Sequence, residues 1–340
     1  MSGTGIFNGG RLVELGLEEL DRSDRTFALS WPAERDLEPL ARSIDASGML
    51  QPLWVVVGAE VGWCLVDGFR RLAAARPAGL GKVPALVLAL SRENPALFRA
   101  RLAATGERLS AVEKFRAVEK AQTLFGLNRV QLAGTILPLL GLGSSKKMLD
   151  ELTLLRNLED PVARFCADNA VALREAALWA DFPREGQRAL LVLVRALTPG
   201  QNLLRNYLQL VKEISLREAQ TVQEVLQDGE IRAVLLDPEQ ARSGGRETVH
   251  RILRRKRYPL LDNIEKTFDT ARRKLTLPEG VAVEPPAAFE GDTVSVSFKA
   301  GSPAELLEKA QALAEAAKSG NAGALFEALG APPDKTGAGA

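Results

Sequence analysis

Residues 65–88, LVDGFRRLAAARPAGLGKVPALVL, constrain this chain more than any other stretch. An apolar run closes on Asp67-Gly68, two arginines follow at once, and a second apolar run begins after Pro84. Trp63 to Val66 reads as a strand, Phe69 to Arg76 as a short helix ending at Pro77, and ALVLAL as a further strand. Asp67-Gly68 must then be a tight strand-to-helix turn, which Gly68 allows through positive φ or close backbone approach. Two readings of the arginines are open. Arg70 and Arg71 are either solvated charges on an amphipathic helix or the cationic part of an anion pocket. In the pocket reading they act with the free N–H groups and positive dipole end of the helix N-terminus. A helix start favours acids, so two arginines there are mildly unfavourable without a partner.

The neighbouring segments mix strand and helix. In RDLEPLARSIDAS, Leu37, Leu40, Ala41 and Ile44 follow i, i+3, i+4, i+7, and Gly48 stands where a C′ glycine belongs. QPLWVVVG reads as a strand. Residues 21–105 are therefore expected to form one unit of mixed helix and strand, after a flexible leader at 1–20. From Ser110 and Glu113, in capping-box spacing, the pattern is helical over 106–228. Residues 229–248 read as a linker. Residues 249–330 read as a small α/β module with two strands and a helix capped by Ser302, and residues 331–340 as a disordered tail.

With 340 residues, two or three domains are expected. The net charge of +1 gives no overall basic field, so any nucleic-acid contact has to be local. Aromatics at 5% argue against base-stacking platforms. Two cysteines, Cys64 and Cys166, and one histidine, His250, exclude a Cys/His zinc site and a disulfide framework. Cys64 lies in a strand and reads as core. The start has no signal pattern and no apolar run reaches spanning length, so a cytoplasmic protein is expected.

Two local features suit DNA. Around Gly141 to Gly143, a helix containing Gln131 and Ala133 is followed by one beginning Ser144, Ser145, Lys146, Lys147. That order fits a helix-turn-helix with serines and lysines at the start of the recognition helix. Ala133 and Gly141 stand eight apart with Pro138 between them, so the turn is enlarged. The alternative is an ordinary helical pair. In RILRRKRYP, Arg251, Arg254, Arg255, Lys256 and Arg257 form a local cationic segment that could neutralise phosphates or simply face solvent.

Taken in order, LEPLARSIDASGMLQPLWVV, CLVDGFRRLAAAR, VPALVL and RLSAVEKFRAVEKAQTL resemble the N-terminal domain of the ParB-type partition proteins over roughly residues 20–125. LTLLRNLEDPVARFCADNAVALREAALWADFPREGQRALL extends the likeness to about residue 215. The resemblance implies an α+β ParB/sulfiredoxin-like N-terminal domain followed by an all-α helix-turn-helix domain. It implies CTP with Mg2+ as cofactors, Gly68, Arg70 and Arg71 at the triphosphate, and a nucleotide-dependent clamp on double-stranded DNA. It also implies a homodimer, a ParA-like ATPase partner and association with the nucleoid. With it, Gln131, Ser144, Ser145, Lys146 and Lys147 are expected DNA contacts; Arg254, Arg255, Lys256 and Arg257, beyond the resemblance, are expected as further ones from their charge alone.

Two departures bear on catalysis. Phe69 stands where the family's box has glutamate, and an aromatic neither polarises water nor holds a metal. The asparagine and arginine of the family's second box are missing ahead of RLSAVEK. CTP turnover is therefore expected to be weak or absent. Two other classes stay open: a nucleotide-independent transcription regulator or adaptor, and a phosphoryl-transfer enzyme on the same fold, for which Asp67 and Glu93 are the nearby acids. The sulfiredoxin reaction is set aside because its cysteine position is Phe69.

Overall fold

The computed structural model describes residues 9–30, 37–58, 62–289 and 291–330. Two compact units meet at Arg246/Glu247 in the chain. The first opens with strands β1 (Arg11–Gly16) and β2 (Leu20–Asp21), helix α1 (Glu38–Ser47), and strands β3 (Leu53–Val57) and β4 (Trp63–Asp67). Helix α2 (Phe69–Ala75), strand β5 (Lys82–Val87) and helix α3 (Pro95–Thr105) follow. The strands form one mixed sheet in the order β1-β5-β3-β4-β2. β1 runs antiparallel to β5, β3 is parallel to β5 and antiparallel to β4, and β2 is parallel to β4.

The expected leader is thus corrected. Residues 11–21 supply two strands and buried Leu15, Leu17 and Leu20, which pack with Ile44, Leu53, Val55, Leu65 and Leu72. The sequence signal is modest: in RLVELG, Val13 and Leu15 flank Glu14 but exposed Leu12 breaks the alternation, and one long edge pairing with β5 orders them. Residues 1–8 of that leader and the tail at 331–340 lie outside the described residues.

Helices α4 (Ala111–Thr123), α5 (Arg129–Gln131), α6 (Leu137–Leu139), α7 (Lys146–Thr153), α8 (Asp160–Asp168) and α9 (Leu173–Ala180) continue the first unit. After them come α10 (Arg184–Leu197), α11 (Gln201–Glu218), α12 (Val222–Leu226), α13 (Gly229–Leu236) and α14 (Pro238–Gln240). Ser110 caps α4 as expected: its backbone N–H donates to Glu113 Oε2 at 2.8 Å. Gln187 is a buried polar hub. Its Nε2 donates to the carbonyls of Asn157 and Phe182 at 3.0 and 2.9 Å, and its Oε1 accepts from Glu159 N at 2.9 Å. These bonds tie the connections before α8 and before α10 to the first turn of α10 and satisfy the buried amide.

Residues 229–248, expected as a linker, are helical as well. Asp228 and Asp237 each accept two backbone N–H groups and so start α13 and α14. Asp237-Pro238 is an N-cap followed by proline at the first helical position, which begins a helix instead of breaking one.

Several helices end on a left-handed residue that is not glycine: Ala170, Thr198 and Ala219, with φ of 48°, 43° and 52°. A Cβ there crowds the next carbonyl. Ala219, exposed after α11, has the least to lose. Ala219→Gly should stabilise the protein by about 1 kcal/mol. Urea unfolding checks this, and a lower midpoint would mean the alanine methyl makes contacts worth more than the strain.

The second unit holds α15 (Arg246–Arg257), α16 (Pro259–Lys274), strands β6 (Ala282–Glu284) and β7 (Ser295–Ser297), then α17 (Pro303–Lys318) and α18 (Gly320–Ala328). β6 and β7 pair antiparallel. Its core is small: Phe268, Ala271, Val283 and Leu325, with Phe289 set edge-on to Phe268 at 5.7 Å. Among the described residues, no helix is long and apolar enough to cross a membrane.

Candidate functional site

The turn after β4 has the geometry the Asp-Gly pair demands. Gly68 sits at φ +102°, and a Cβ built on it would lie 2.4 Å from Leu53 Cδ2. Only glycine fits without moving the sheet residue beneath.

Behind the turn lies a buried cluster of charges. Asp67 pairs through Oδ2 with Arg71 at 2.6 Å and through Oδ1 with Arg101 at 2.9 Å. Arg71 also donates to the carbonyls of Gln51 and Pro52 at 2.6 and 2.8 Å. Arg101 donates to Thr105 Oγ1 at 2.8 Å, while its buried Nε has no partner. Burial pulls the Arg101 pKa down, with Arg71 pushing the same way and Asp67 opposing. The placement gives Arg71 a structural role within the turn. Its guanidinium is engaged by three acceptors of the protein itself and ties the turn to the entry of β3. Arg70 is exposed on the first turn of α2.

In front of α2 is a cleft of about 380 Å³. One wall is Leu65, Phe69, Leu72, Ala73, Arg76 and Pro77; the other is Asp21, Arg22, Asp24 and Arg25. Phe69, Leu72, Ala73 and Arg76 share one helical face. Neither Arg70 nor Arg71 lines the cleft. Among the described residues, Arg22, Arg25 and Arg76 form no ion pair. Asp24 does not neutralise them, because Arg92 Nε holds its carboxylate at 2.7 Å. Burial alone would raise the Asp24 pKa, but the Arg92 and Thr26 donors outweigh it and hold the carboxyl well below the usual range. Cys64 nearby is pushed up to about 12 by burial and by Asp24, so its thiol is inert as the core reading required. The cleft thus offers an apolar, partly aromatic floor beneath unpaired guanidinium groups, which suits an anion carrying a flat apolar part.

The wall at 21–30 is held from outside the cleft. Lys120 Nζ, on α4, donates to the carbonyls of Arg25, of Ala28 at 2.7 Å and of Thr26 at 3.4 Å. Burial pulls the Lys120 pKa down to about 8, which leaves the ammonium charged at neutral pH. Arg92 donates to Thr26 Oγ1 at 2.8 Å, and Phe27 packs against Phe98 and Phe125 with ring centroids at 6.5 and 5.9 Å.

The helix pair is present with an altered first helix. Arg129 to Leu139 runs as α5, a π-helical segment at Leu132–Ile136, and α6. The widened turn makes room for Pro138, whose ring would clash in a regular helix interior. After Gly141, α7 begins with Ser145 as N-cap, its hydroxyl accepting from Met148 N at 3.1 Å. Ser144, Ser145, Lys146 and Lys147 are all exposed at that N-terminus. Gln131 Oε1 accepts from Asn128 N at 2.9 Å, completing a capping box for α5. In the second unit Arg254 is likewise committed, in a two-pronged pair with Glu265 at 3.0 and 2.7 Å. Arg255, Lys256 and Arg257 are half-buried, and Arg257 stacks over Tyr258 at 4.6 Å.

Residues 5–100 match the sequence profile of the ParB N-terminal domain. The probable chromosome-partitioning protein ParB of Vibrio cholerae is 29% identical over 195 residues, covering 57% of this chain and 63% of that protein. The N-terminal part of the chain is thus similar to ParB proteins. A probable plasmid-partitioning ParB of Thermus thermophilus is 36% identical over 141 residues, 42% of this chain and 41% of its own. The chain therefore spans less than two thirds of the length of these relatives. Among solved structures, Caulobacter crescentus ParB complexed with CTP-gamma-S is 26% identical over 50% of this chain and 92% of its own, at TM-score 0.26. The same organism's ParB complexed to the centromeric parS site is 20% identical over 58% of this chain and 98% of its own, at TM-score 0.36.

Of the residues around the Asp-Gly turn, the structure brings Phe69 into the cleft lining and leaves Gly68, Arg70 and Arg71 out of it, and it adds Arg22, Arg25 and Arg76. Sequence reasoning missed these three. Arg76 was legible, since it lies one helical face along from Phe69. Arg22 and Arg25 were not, because nothing in DRSDRTF says that the segment folds over α2. Among the described residues no group of three metal-ligating side chains occurs.

Proposed function

We propose that this ParB-type protein binds double-stranded DNA in chromosome or plasmid partition, through the helix pair ending in α7. One observation carries the reading: Lys146 and Lys147 stand exposed at the N-terminus of α7, directly downstream of a ParB N-terminal domain. A recognition helix uses that end for base edges and phosphates. Partners of the same reading are a second copy of the chain and a ParA-like ATPase, with the protein on the nucleoid.

CTP is the ligand we assign to the cleft. Phe69, Leu72 and Pro77 suit the base and sugar, and Arg22, Arg25, Arg76 and the nearby Arg70 suit the triphosphate. The donor set fits polyphosphate better than a dedicated metal cage, since Asp24 is already bound to Arg92. Mg2+ would then arrive on the nucleotide, neutralising phosphate oxygens. With Phe69 in the box, turnover is weak or absent, and the nucleotide acts as a bound ligand.

A thermal-shift titration tests the assignment. Millimolar CTP with Mg2+ should raise the melting temperature, as any ligand of the folded state does, and Arg25→Ala or Arg76→Ala should abolish most of the shift. No shift in the wild type would favour the second reading, a nucleotide-independent DNA-binding adaptor. The engagement of Arg71 by Asp67 already supports that alternative.

A further inference from the structure

We propose that Lys120 is a positioning residue for the cleft: from α4 it clamps the backbone of 25–28 and so sets Arg22 and Arg25 against α2. The inference rests on the nucleotide reading of the cleft, but the clamp itself is a property of the segment.

Segment 22–30 contains no regular strand or helix. A stretch of that kind keeps its shape only through outside contacts. Three are present: Phe27 between two aromatic rings, Arg92 on Asp24 and Thr26, and Lys120 on three carbonyls. The first two hold side chains. Lys120 alone holds the main chain, and one of its acceptors is the carbonyl of Arg25, whose side chain lines the cleft. Three carbonyls converging on one ammonium fix the local path of the backbone, and the Arg25 carbonyl also accepts from Ala28 N at 3.2 Å, which closes the turn at the clamp. The charged groups acting on Lys120 are Asp24, Arg116 and Arg25.

The clamp also joins two parts of the first unit. α4 packs on α7 and α8. A ligand that draws Arg25 toward α2 therefore pulls on the helix that supports α7. Lys120 is the point where cleft occupancy and helix position meet.

The test compares wild type, Lys120→Met and Lys120→Arg in two assays on the full chain. Tryptic cleavage after Arg22 and Arg25 reads the wall, normalised to the melting temperature of each variant. Calorimetric titration with CTP and Mg2+ reads the ligand. Lys120→Met should accelerate cleavage at Arg25 about tenfold and weaken CTP binding at least tenfold. Lys120→Arg, with enough N–H donors for the same carbonyls, should restore both. Unchanged cleavage, or equal CTP affinity in Lys120→Met and wild type, overturns the proposal. Accelerated cleavage with no CTP binding even by the wild type upholds the clamp and overturns the nucleotide reading instead.

Discussion

Asp67→Ala should destabilise the first unit by about 3–5 kcal/mol, the usual cost of removing one member of a buried charge pair. Asp67 is the single carboxylate facing two arginines, and the Arg71 and Arg101 side chains are only 18% and 9% exposed. Without it the pair becomes two like charges in a desolvated site, one of them already carrying an unsatisfied Nε. Chemical denaturation followed by circular dichroism measures the loss. Adding Arg101→Leu to Asp67→Ala should recover a large part of it, because the stranded charge goes too. A change below about 1 kcal/mol for Asp67→Ala would mean that water reaches the cluster and screens it.

Lys146→Ala combined with Lys147→Ala should weaken binding to a cognate DNA site roughly ten- to hundredfold at moderate salt, and lower the salt slope by about two. The two lysines sit at the exposed start of α7 with no ion pair among the described residues, so their full charge is available to phosphate. Fluorescence anisotropy across a salt series reads both numbers. Arg254→Ala is the informative contrast. Its guanidinium already holds Glu265, so its loss should disturb the α15–α16 pair and leave the salt slope nearly unchanged. Equal slopes for the double lysine variant and the wild type would remove α7 from the DNA interface.

The sequence carried the order of elements well because the elements are locally specified. Asp-Gly after an apolar run demands a turn, Ser110 and Glu113 cap each other, and Leu37 to Ile44 keep helical period. These signals are complete within a dozen residues. What the sequence did not disclose depends on distant partners. β1 is ordered by pairing with β5, some seventy residues away. The cleft exists because 21–25 folds over α2, and nothing in either segment names the other. Site residues show the same division. Gly68 was readable because its constraint is its own backbone. The protein partners of Arg71, Gln131 and Arg254 were not legible, because an exposed-looking cation or amide reads alike whether its partner is a ligand or a neighbouring turn. The linker at 229–248 failed for a different reason: polar composition concealed two aspartate caps.

The arginine pair after Gly68 has a consequence for tracing descent in this family. Two adjacent letters serve two separate purposes, one facing outward toward whatever occupies the protein's surface and the other bracing the turn from within. A lineage could abandon the ligand altogether and still be obliged to keep the second arginine, since losing it would loosen the sheet. The intact motif is then no record of a surviving activity, and the informative letters are those lining the cleft, at positions 22 and 25 on one wall and 76 on the other, which form no ion pair among the described residues.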